Sequence, residues 1–554
     1  MSLTDEEKLA LRPVAVVRWE DAQGKVSVVQ MSAAMGTVQD GELDLSLVQR
    51  GDSWRLVAAP SREGIRVTQV RVRLCVDLAH ADALYLNGYN SWTDSVEHSP
   101  RDAMKNFGVP RAAVDHWALD GSGDYRFTPR DERRGHQHGF AYGYLRFGDQ
   151  VQLVGSLGED SGLTTIYEDY DAGTLTLDKE APAGELAAGV SSELLSFCVV
   201  KGDLRSATQT WLDLAGIKAR SARPMVGYTS WYRHYTDIDA GKLEHDLEGV
   251  AQELGRFQTG SCARVFQIDD GYTKVGDWTT PDAGKFPQGM APLVQRIKEA
   301  DLVPGIWLAP FVCERESRVF ADHQDWLLHD DKGQLVTTGS HWSGQVALDT
   351  LNPQVRDHLR QVLSTYTRDW GFKLLKCDFL YAACMLPHGG MNRGQLIADA
   401  LDLIRSSVAE GTWLDFCGVP LASAFGRCEF CRVGCDVGLD WDDKPHMRLT
   451  GRERVSTKNN LANTHGRAHL DGLAFRNDPD VFFLRSDVKL SDEQRSALLR
   501  ADATLGGVFF TSDDMGLWDQ EQSGWYREAL AAFVGRAQKE SGAENADSLL
   551  RRLR

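Results

Sequence analysis

MVGYTSW at Met225–Trp231, RVFQID at Arg264–Asp269 and VPGIWLA at Val303–Ala309 are short, largely apolar runs. AGKLEHDLEGVAQEL at Ala240–Leu254 lies between the first two, with its apolar residues three and four apart. A strand buried on both faces reads as a nearly continuous apolar run, and apolar residues at i, i+3 and i+4 make one face of a helix. The same alternation continues through Lys373–Phe379, Trp413–Cys417, Cys431–Asp436, Leu470–Phe475 and Gly507–Thr511, with helices expected at Pro353–Trp370 and Arg393–Val408. Asn352-Pro353 pairs a capping residue with a proline suited to the first helical turn, and Ser491-Asp-Glu-Gln494 has the spacing of a capping box. Eight strand–helix units in series predict a (β/α)8 TIM barrel over residues 216–515. A doubly wound open sheet competes, but no Gly-rich dinucleotide loop follows the first strand and no GxxxxGK[ST] occurs.

Residues 1–215 follow a different period. Ile65–Val76 reads IRVTQVRVRLCV, in which apolar and polar residues mostly alternate, the mark of a strand with one buried face. Similar runs stand at Val14–Trp19, Lys25–Met31, Ala141–Phe147, Gln150–Leu157, Leu175–Leu177 and Leu194–Val200, with Gly, Asp and Pro between them. This predicts an N-terminal antiparallel β-sandwich, so the chain is multidomain. Residues 516–554 read as a short helical C-terminal tail, charged and frayed at its end.

The 554 residues carry 61 Lys and Arg against 79 Asp and Glu, a net charge of −18. That balance argues against nucleic acid and against an anionic membrane surface, both of which need a cationic face. No apolar run approaches a membrane span, and the first residues, MSLTDEEK, carry acids where a signal peptide has bases. Ten cysteines without a secretion signal point to reduced thiols. The expectation is a cytoplasmic protein acting on a small uncharged partner, with a homo-oligomer left open.

In such a barrel the reactive residues stand at the C-terminal ends of the strands. The second run ends in Asp269 and Asp270, the fourth in Lys376 and Asp378, the fifth in Cys417 and Gly418, the sixth in Arg432 and Asp436. Lys376 and Asp378, two apart, and Arg432 and Asp436, four apart, share a strand face, so each pair sets a cation beside a carboxylate, which favours the ionised form. Asp269 and Asp270 have no base beside them in sequence and suit hydroxyl-rich ligands. Trp231, Trp278 and Trp307 offer ring faces, although a buried tryptophan is more often core.

Ordered motifs tie these residues together: NGYNSWTD at Asn87–Asp94, GYTSWY at Gly227–Tyr232, VFQIDDGYTKVGDW at Val265–Trp278, GIWLAPF at Gly305–Phe311, LKCDFLYA at Leu375–Ala382, RVGCDV at Arg432–Val437, NDPD at Asn477–Asp480 and SDD at Ser512–Asp514. In this series the chain resembles the melibiase-type retaining α-galactosidases, glycoside hydrolase family thirty-six, in their compact bacterial branch. The resemblance implies a β-sandwich followed by a (β/α)8 barrel, and an exo-α-galactosidase working by double displacement. It makes Asp378 the nucleophile and Asp436 the general acid and base. It implies that Asp269 and Asp270 hold the galactose 4- and 6-hydroxyls, that Lys376 and Arg432 bind further hydroxyls, that Cys417 and Gly418 lie near the 2-hydroxyl, and that Trp92, Trp231 and Trp307 surround the pocket. No cofactor and no metal are implied. Retention calls for carboxyls roughly 5–5.5 Å apart.

The sequence departs from the family twice. Longer members carry an Arg-Asn-Gln stretch where this chain has His341-Trp342-Ser343-Gly344-Gln345, and the usual C-terminal β domain is replaced by the helical tail. Within the family an α-N-acetylgalactosaminidase or an α-galactosyl transglycosylase is the alternative. Outside it stand a sugar-binding protein with an inactive barrel, a metal-dependent hydrolase, for which none of the 15 His lies at a strand end named above, and a thiolate metal site at Cys417, Cys428, Cys431 and Cys435.

Overall fold

The structure, a computed structural model, describes residues 4–107, 110, 112–114 and 123–552. Its first half holds two antiparallel sheets. One has six strands, ordered Val26–Ser32, Val14–Glu20, Arg66–Cys75, Thr174–Lys179, Thr164–Asp169 and His138–Phe140. The other has eight, ordered Thr37–Asp40, Leu43–Arg50, Ser53–Pro60, Ser192–Gly202, Gln150–Ser156, Tyr142–Phe147, Ala83–Leu86 and Glu97–His98.

Alternation decides which face each residue meets. Leu43, Leu45 and Leu47 are buried, with Asp44 and Ser46 between them. They join Leu56, Phe197 and Val199 of their own sheet and Val17, Val70, Val72 and Leu177 of the other in one apolar core. Each such side chain removed from water is worth about 1.5–3 kcal/mol before entropy is counted. The opposite face of the eight-stranded sheet is apolar too: Tyr85, Tyr144, Leu153 and Val200 belong to the core of the second half. The helix Leu204–Leu214 seats Trp211 in that core, and its indole donates to the Ser156 carbonyl at 2.8 Å.

The second half is built on a nine-stranded parallel sheet. Its strands are Met225–Thr229, Ala263–Ile268, Val303–Leu308, Leu374–Cys377, Trp413–Phe416, Phe430–Arg432, the pair Arg476–Asp478 and Val481–Phe482, and Val508–Thr511. The expected helices are Ala240–Gly255, Pro353–Ser364 continued by a wider turn to Trp370, and Arg393–Ser407. Asn352 caps the Gln354 amide, and Ser491 and Gln494 form the capping box.

Two expectations need correction. Leu470–Phe475 is a turn and loop rather than a strand; the extended chain begins at Arg476, because Arg467 to Ala474 is taken up by tight i to i+3 and i+4 hydrogen bonds. The seventh strand is broken by Pro479-Asp480: its first piece pairs with Phe430–Arg432 and its second with Val508–Thr511, so both ends of the sheet belong to one stretch of chain. The C-terminal helix Gln520–Arg552 is also more than a frayed tail, since Tyr526, Leu530, Phe533 and Ala537 are buried in the main core. Among the described residues no helix is long and apolar enough to cross a membrane.

Candidate active site

At the C-terminal ends of the parallel strands lies a cavity of about 390 Å³. Asp269, Asp270, Lys376, Asp378 and Asp436 line it, with Trp231, Thr236, Trp307, His341, Trp342 and Phe379. A larger cleft of about 620 Å³ at the seam of the two halves lacks these converging acids, and its Arg427 is paired with Asp160 at 2.8 Å.

Strand register sets the floor. Lys376 sits beside Trp307 on one neighbour and Asp415 on the other, buried within the sheet. Its ammonium donates to Asp269 Oδ2 at 3.0 Å, not to Asp378. The pairing expected from two-residue spacing fails because the strand stops at Cys377 and the chain turns at Phe379, whose φ is 53°. Burial pulls the Lys376 pKa down, but Asp269 and Asp378 more than reverse this and hold the ammonium charged. Asp269 also accepts from Gln267 Nε2 at 3.1 Å and from the Thr229 hydroxyl at 3.3 Å. Asp270 accepts from the Trp342 indole at 2.7 Å. Burial pushes the Asp270 carboxyl up to about 6, with the Trp342 donor opposing and Asp269 reinforcing.

Asp378 takes neutral donors: the Trp307 indole at 3.1 Å and the Phe379 amide at 2.7 Å. Its own amide continues the ladder to the Leu308 carbonyl at 2.9 Å. Asp436 lies four residues beyond the sixth strand, in the loop, with 51% of its side chain exposed, and accepts from Arg432 Nη1 at 2.9 Å. Arg432 is buried under it and also holds Asp478 and Asp480.

Cys417, Gly418, Arg432 and Trp92 stand just behind this lining rather than in it. Trp92 packs edge-on to Phe379 at 6.0 Å and Tyr381 at 5.8 Å. Gly418 is required there: at φ 55° a Cβ would stand 2.6 Å from the Trp92 ring and 3.0 Å from the Phe379 nitrogen. The NGYNSWTD loop reaches this point from the antiparallel half. Its Ser91 hydroxyl accepts from the Gly418 amide at 2.8 Å, and fully buried Arg467 donates to Asn87 Oδ1, the Asn90 carbonyl and the Ser91 carbonyl. Trp278 is core, stacked edge-on beneath Trp307 at 5.9 Å.

His341, Trp342, Phe379 and Thr236 were not selected from the sequence. Backbone strain marks the region: of the seven non-glycine residues with positive φ among the described ones, Tyr235, Trp342, Phe379 and Asp480 surround the site. Such conformations cost about 1–3 kcal/mol each and gather where function demands a geometry. The cysteines Cys428, Cys431 and Cys435 each donate to a different backbone carbonyl. Away from the cavity, His245, Asp246 and Asp514 bring possible ligand atoms within 4.8 Å of one another, with Arg233 on Asp514 and His234 on Asp246.

The Melibiase family model matches residues 218–387, from the first parallel strand past Asp378. Over this stretch the chain is similar to the melibiases. TtGalA, an alpha-galactosidase from Thermus thermophilus solved with p-nitrophenyl alpha-D-galactopyranoside, is similar at 27% identity and a TM-score of 0.70, over 88% of this chain and 92% of that one. The GH36 alpha-galactosidase AgaA of Geobacillus stearothermophilus shares the fold at 14% identity and a TM-score of 0.59, over 96% and 76%. Among curated relatives, probable alpha-galactosidase C of Aspergillus flavus is 27% identical over 29% of this chain and 22% of its own length. The alpha-galactosidase of Escherichia coli is 37% identical over 21% and 17%. The match therefore spans about a fifth of the length of these curated relatives.

Proposed function

We propose that this chain is a retaining exo-α-galactosidase that removes terminal α-D-galactosyl residues from oligosaccharides. The observation that carries the reading is the convergence of Asp378 and Asp436 on one cavity floored by Asp269, Asp270 and Lys376. Ionised Asp378 attacks the anomeric carbon and forms a glycosyl–aspartate. Asp436 protonates the departing oxygen, then takes a proton from the water that hydrolyses the intermediate. The two neutral donors on Asp378 hold its orientation without cancelling its charge, as a nucleophile needs. Asp269 and Asp270 accept from the sugar's 4- and 6-hydroxyls, and the Lys376 ammonium, donating to Asp269 at 3.0 Å, fixes its orientation for that task. Trp231, Trp307 and Trp342 give the ring apolar faces. Trp92, Cys417 and Gly418 shape the wall near the 2-hydroxyl, and Arg432 acts on Asp436 from beneath.

The broken seventh strand supports a closed (β/α)8 barrel, its two pieces joining the ends of the sheet. In this reading a sandwich domain over 1–215 delivers the Trp92 loop to a catalytic barrel over 216–515, and the helical tail, 516–554, braces it through Tyr526, Leu530, Phe533 and Ala537. TtGalA, similar along nearly its whole length, has been solved with the nitrophenyl galactoside and with stachyose, which supports the substrate class.

The test is chemical rescue. In Asp378→Ala, hydrolysis of an aryl α-galactoside falls by about 10⁴-fold or more, and azide restores turnover with a β-galactosyl azide as product. Undiminished hydrolysis by that variant, or an α-configured azide, overturns the assignment.

A further inference from the structure

Arg432 reaches three different carboxylates: Nη1 to Asp436 at 2.9 Å, Nε to Asp478 at 3.0 Å and Nη2 to Asp480 at 2.8 Å. Asp436 is open to the cavity, whereas Asp478 and Asp480 are sealed at 4% and 3% exposure. The acid role of Asp436 requires a proton in the resting enzyme, yet a guanidinium alone favours the ionised form. We propose that Asp480 offsets the charge of Arg432 so that Asp436 keeps its proton, which makes Asp480 a positioning residue of the acid–base apparatus. This rests on the reading of Asp436 given above.

The geometry fits that task. Asp480 sits at the break in the seventh strand with φ 90°. Its Oδ1 accepts from Arg432, and its Oδ2 accepts from the Tyr232 hydroxyl and from the Val437 amide at 2.9 Å. Three donors and no acceptor around one carboxyl is the surrounding of an anion. Val437 directly follows Asp436, so the same side chain that balances the guanidinium fixes the backbone beside the acid. The charged and titratable groups facing Asp480 are Arg432, Tyr232, Asp436, Lys376 and Asp478, with Asp502 behind them on the helix Asp492–Leu505. Burial pushes the Asp480 carboxyl up to about 7 while Arg432 pulls it down and Asp436 pushes it up. It is therefore charged on the alkaline side of neutrality. An anionic Asp480 on Arg432 offsets part of the positive charge that acts on Asp436; removing it restores that charge, which favours the ionised form of Asp436.

The experiment is the pH profile of kcat/KM on an alkyl and a nitrophenyl α-galactoside, for the unaltered enzyme, Asp480→Asn, Tyr232→Phe and Asp436→Ala. Asp480→Asn is expected to move the alkaline limb down by about one pH unit. Its loss at pH 8 should be roughly tenfold greater on the alkyl substrate, whose departure needs the acid. Tyr232→Phe, which removes one donor from Asp480, should move the limb the same way by less. A uniform loss in Asp480→Asn, equal at all pH and for both substrates, overturns the proposal. If Asp480→Asn does not fold, an unmoved limb in Tyr232→Phe does so. A limb that survives in Asp436→Ala shows instead that the underlying reading of Asp436 has failed.

Discussion

On one side of the cavity Asp378 is held by an indole N–H and a backbone amide, while on the other Asp436 rests on a guanidinium that two further acids share. Neutral donors orient a carboxylate and leave its full charge for attack on carbon. A guanidinium does the opposite and weakens the hold on a proton, unless other anions balance it. On the proposed double displacement, the first arrangement suits the attacking carboxylate and the second the group that hands a proton on. Two carboxylates in one cavity take different work from their donors, with no difference in residue type.

The largest effect separating the two sides is expected from Asp436→Ala. On the proposed roles its loss should lower kcat/KM, which reports the first step, by about 10²–10⁴-fold on an alkyl α-galactoside and far less on a dinitrophenyl one, whose oxygen leaves without a proton. The slope of log kcat/KM against leaving-group pKa measures this directly. An equal loss on both substrates contradicts the division of labour, because only the protonation side should sense the leaving group.

The next break in the comparison comes from behind Asp378. Gly418→Ala places a methyl 2.6 Å from the Trp92 ring and 3.0 Å from the Phe379 nitrogen that donates to Asp378. Either the Trp92 loop or the Asp378 donor must move. Displacing a reacting group on the ångström scale costs on the order of tenfold to a hundredfold in kcat. The loss should be the same for good and poor leaving groups, the reverse of Asp436→Ala. A fall in Tm should accompany it, since the left-handed φ adds strain. Unchanged kinetics with a lowered Tm would make Gly418 a packing residue alone.

Much of this was legible in the chain because strand ends deliver it. The acid pairs at 269–270, 376–378 and 432–436 stand at the ends of apolar runs, and the fold gathers every run's end on one face. What escaped depends on where the chain leaves the strand. Same-face spacing pairs Lys376 with Asp378, but the turn at Phe379 gives Asp378 other donors and leaves the ammonium's hydrogen bond to Asp269, a partner more than a hundred residues distant. Arg432 and Asp436 do meet, though through a loop rather than a shared strand face. The seventh strand lies beyond the apolar run that precedes it, because its polar NDPD supplies partners for Arg432. His341 and Trp342 follow the third strand on a long connection, whose course no periodicity announces.

Trp342 gives the smallest and most exacting test. Its indole is the donor that opposes the upward push of burial on Asp270, whose carboxyl stands near 6. A carboxyl raised above its ordinary value binds extra protons in the folded state, so its contribution to stability falls as pH rises from about 4 to 6. Sugar binding runs the other way, because the ionised form is the better acceptor, so KM should worsen as pH falls through about 6. Trp342→Phe keeps an aromatic face and removes the donor, which raises the Asp270 pKa further. The acid limb of kcat/KM should then move upward by a few tenths of a pH unit, about what one hydrogen bond to a charged group supplies in a wet cavity. The alkaline limb belongs to the Arg432 side and should stay where it is. If both limbs move together, the two sides are coupled through the cavity and cannot be treated as separately tuned acids.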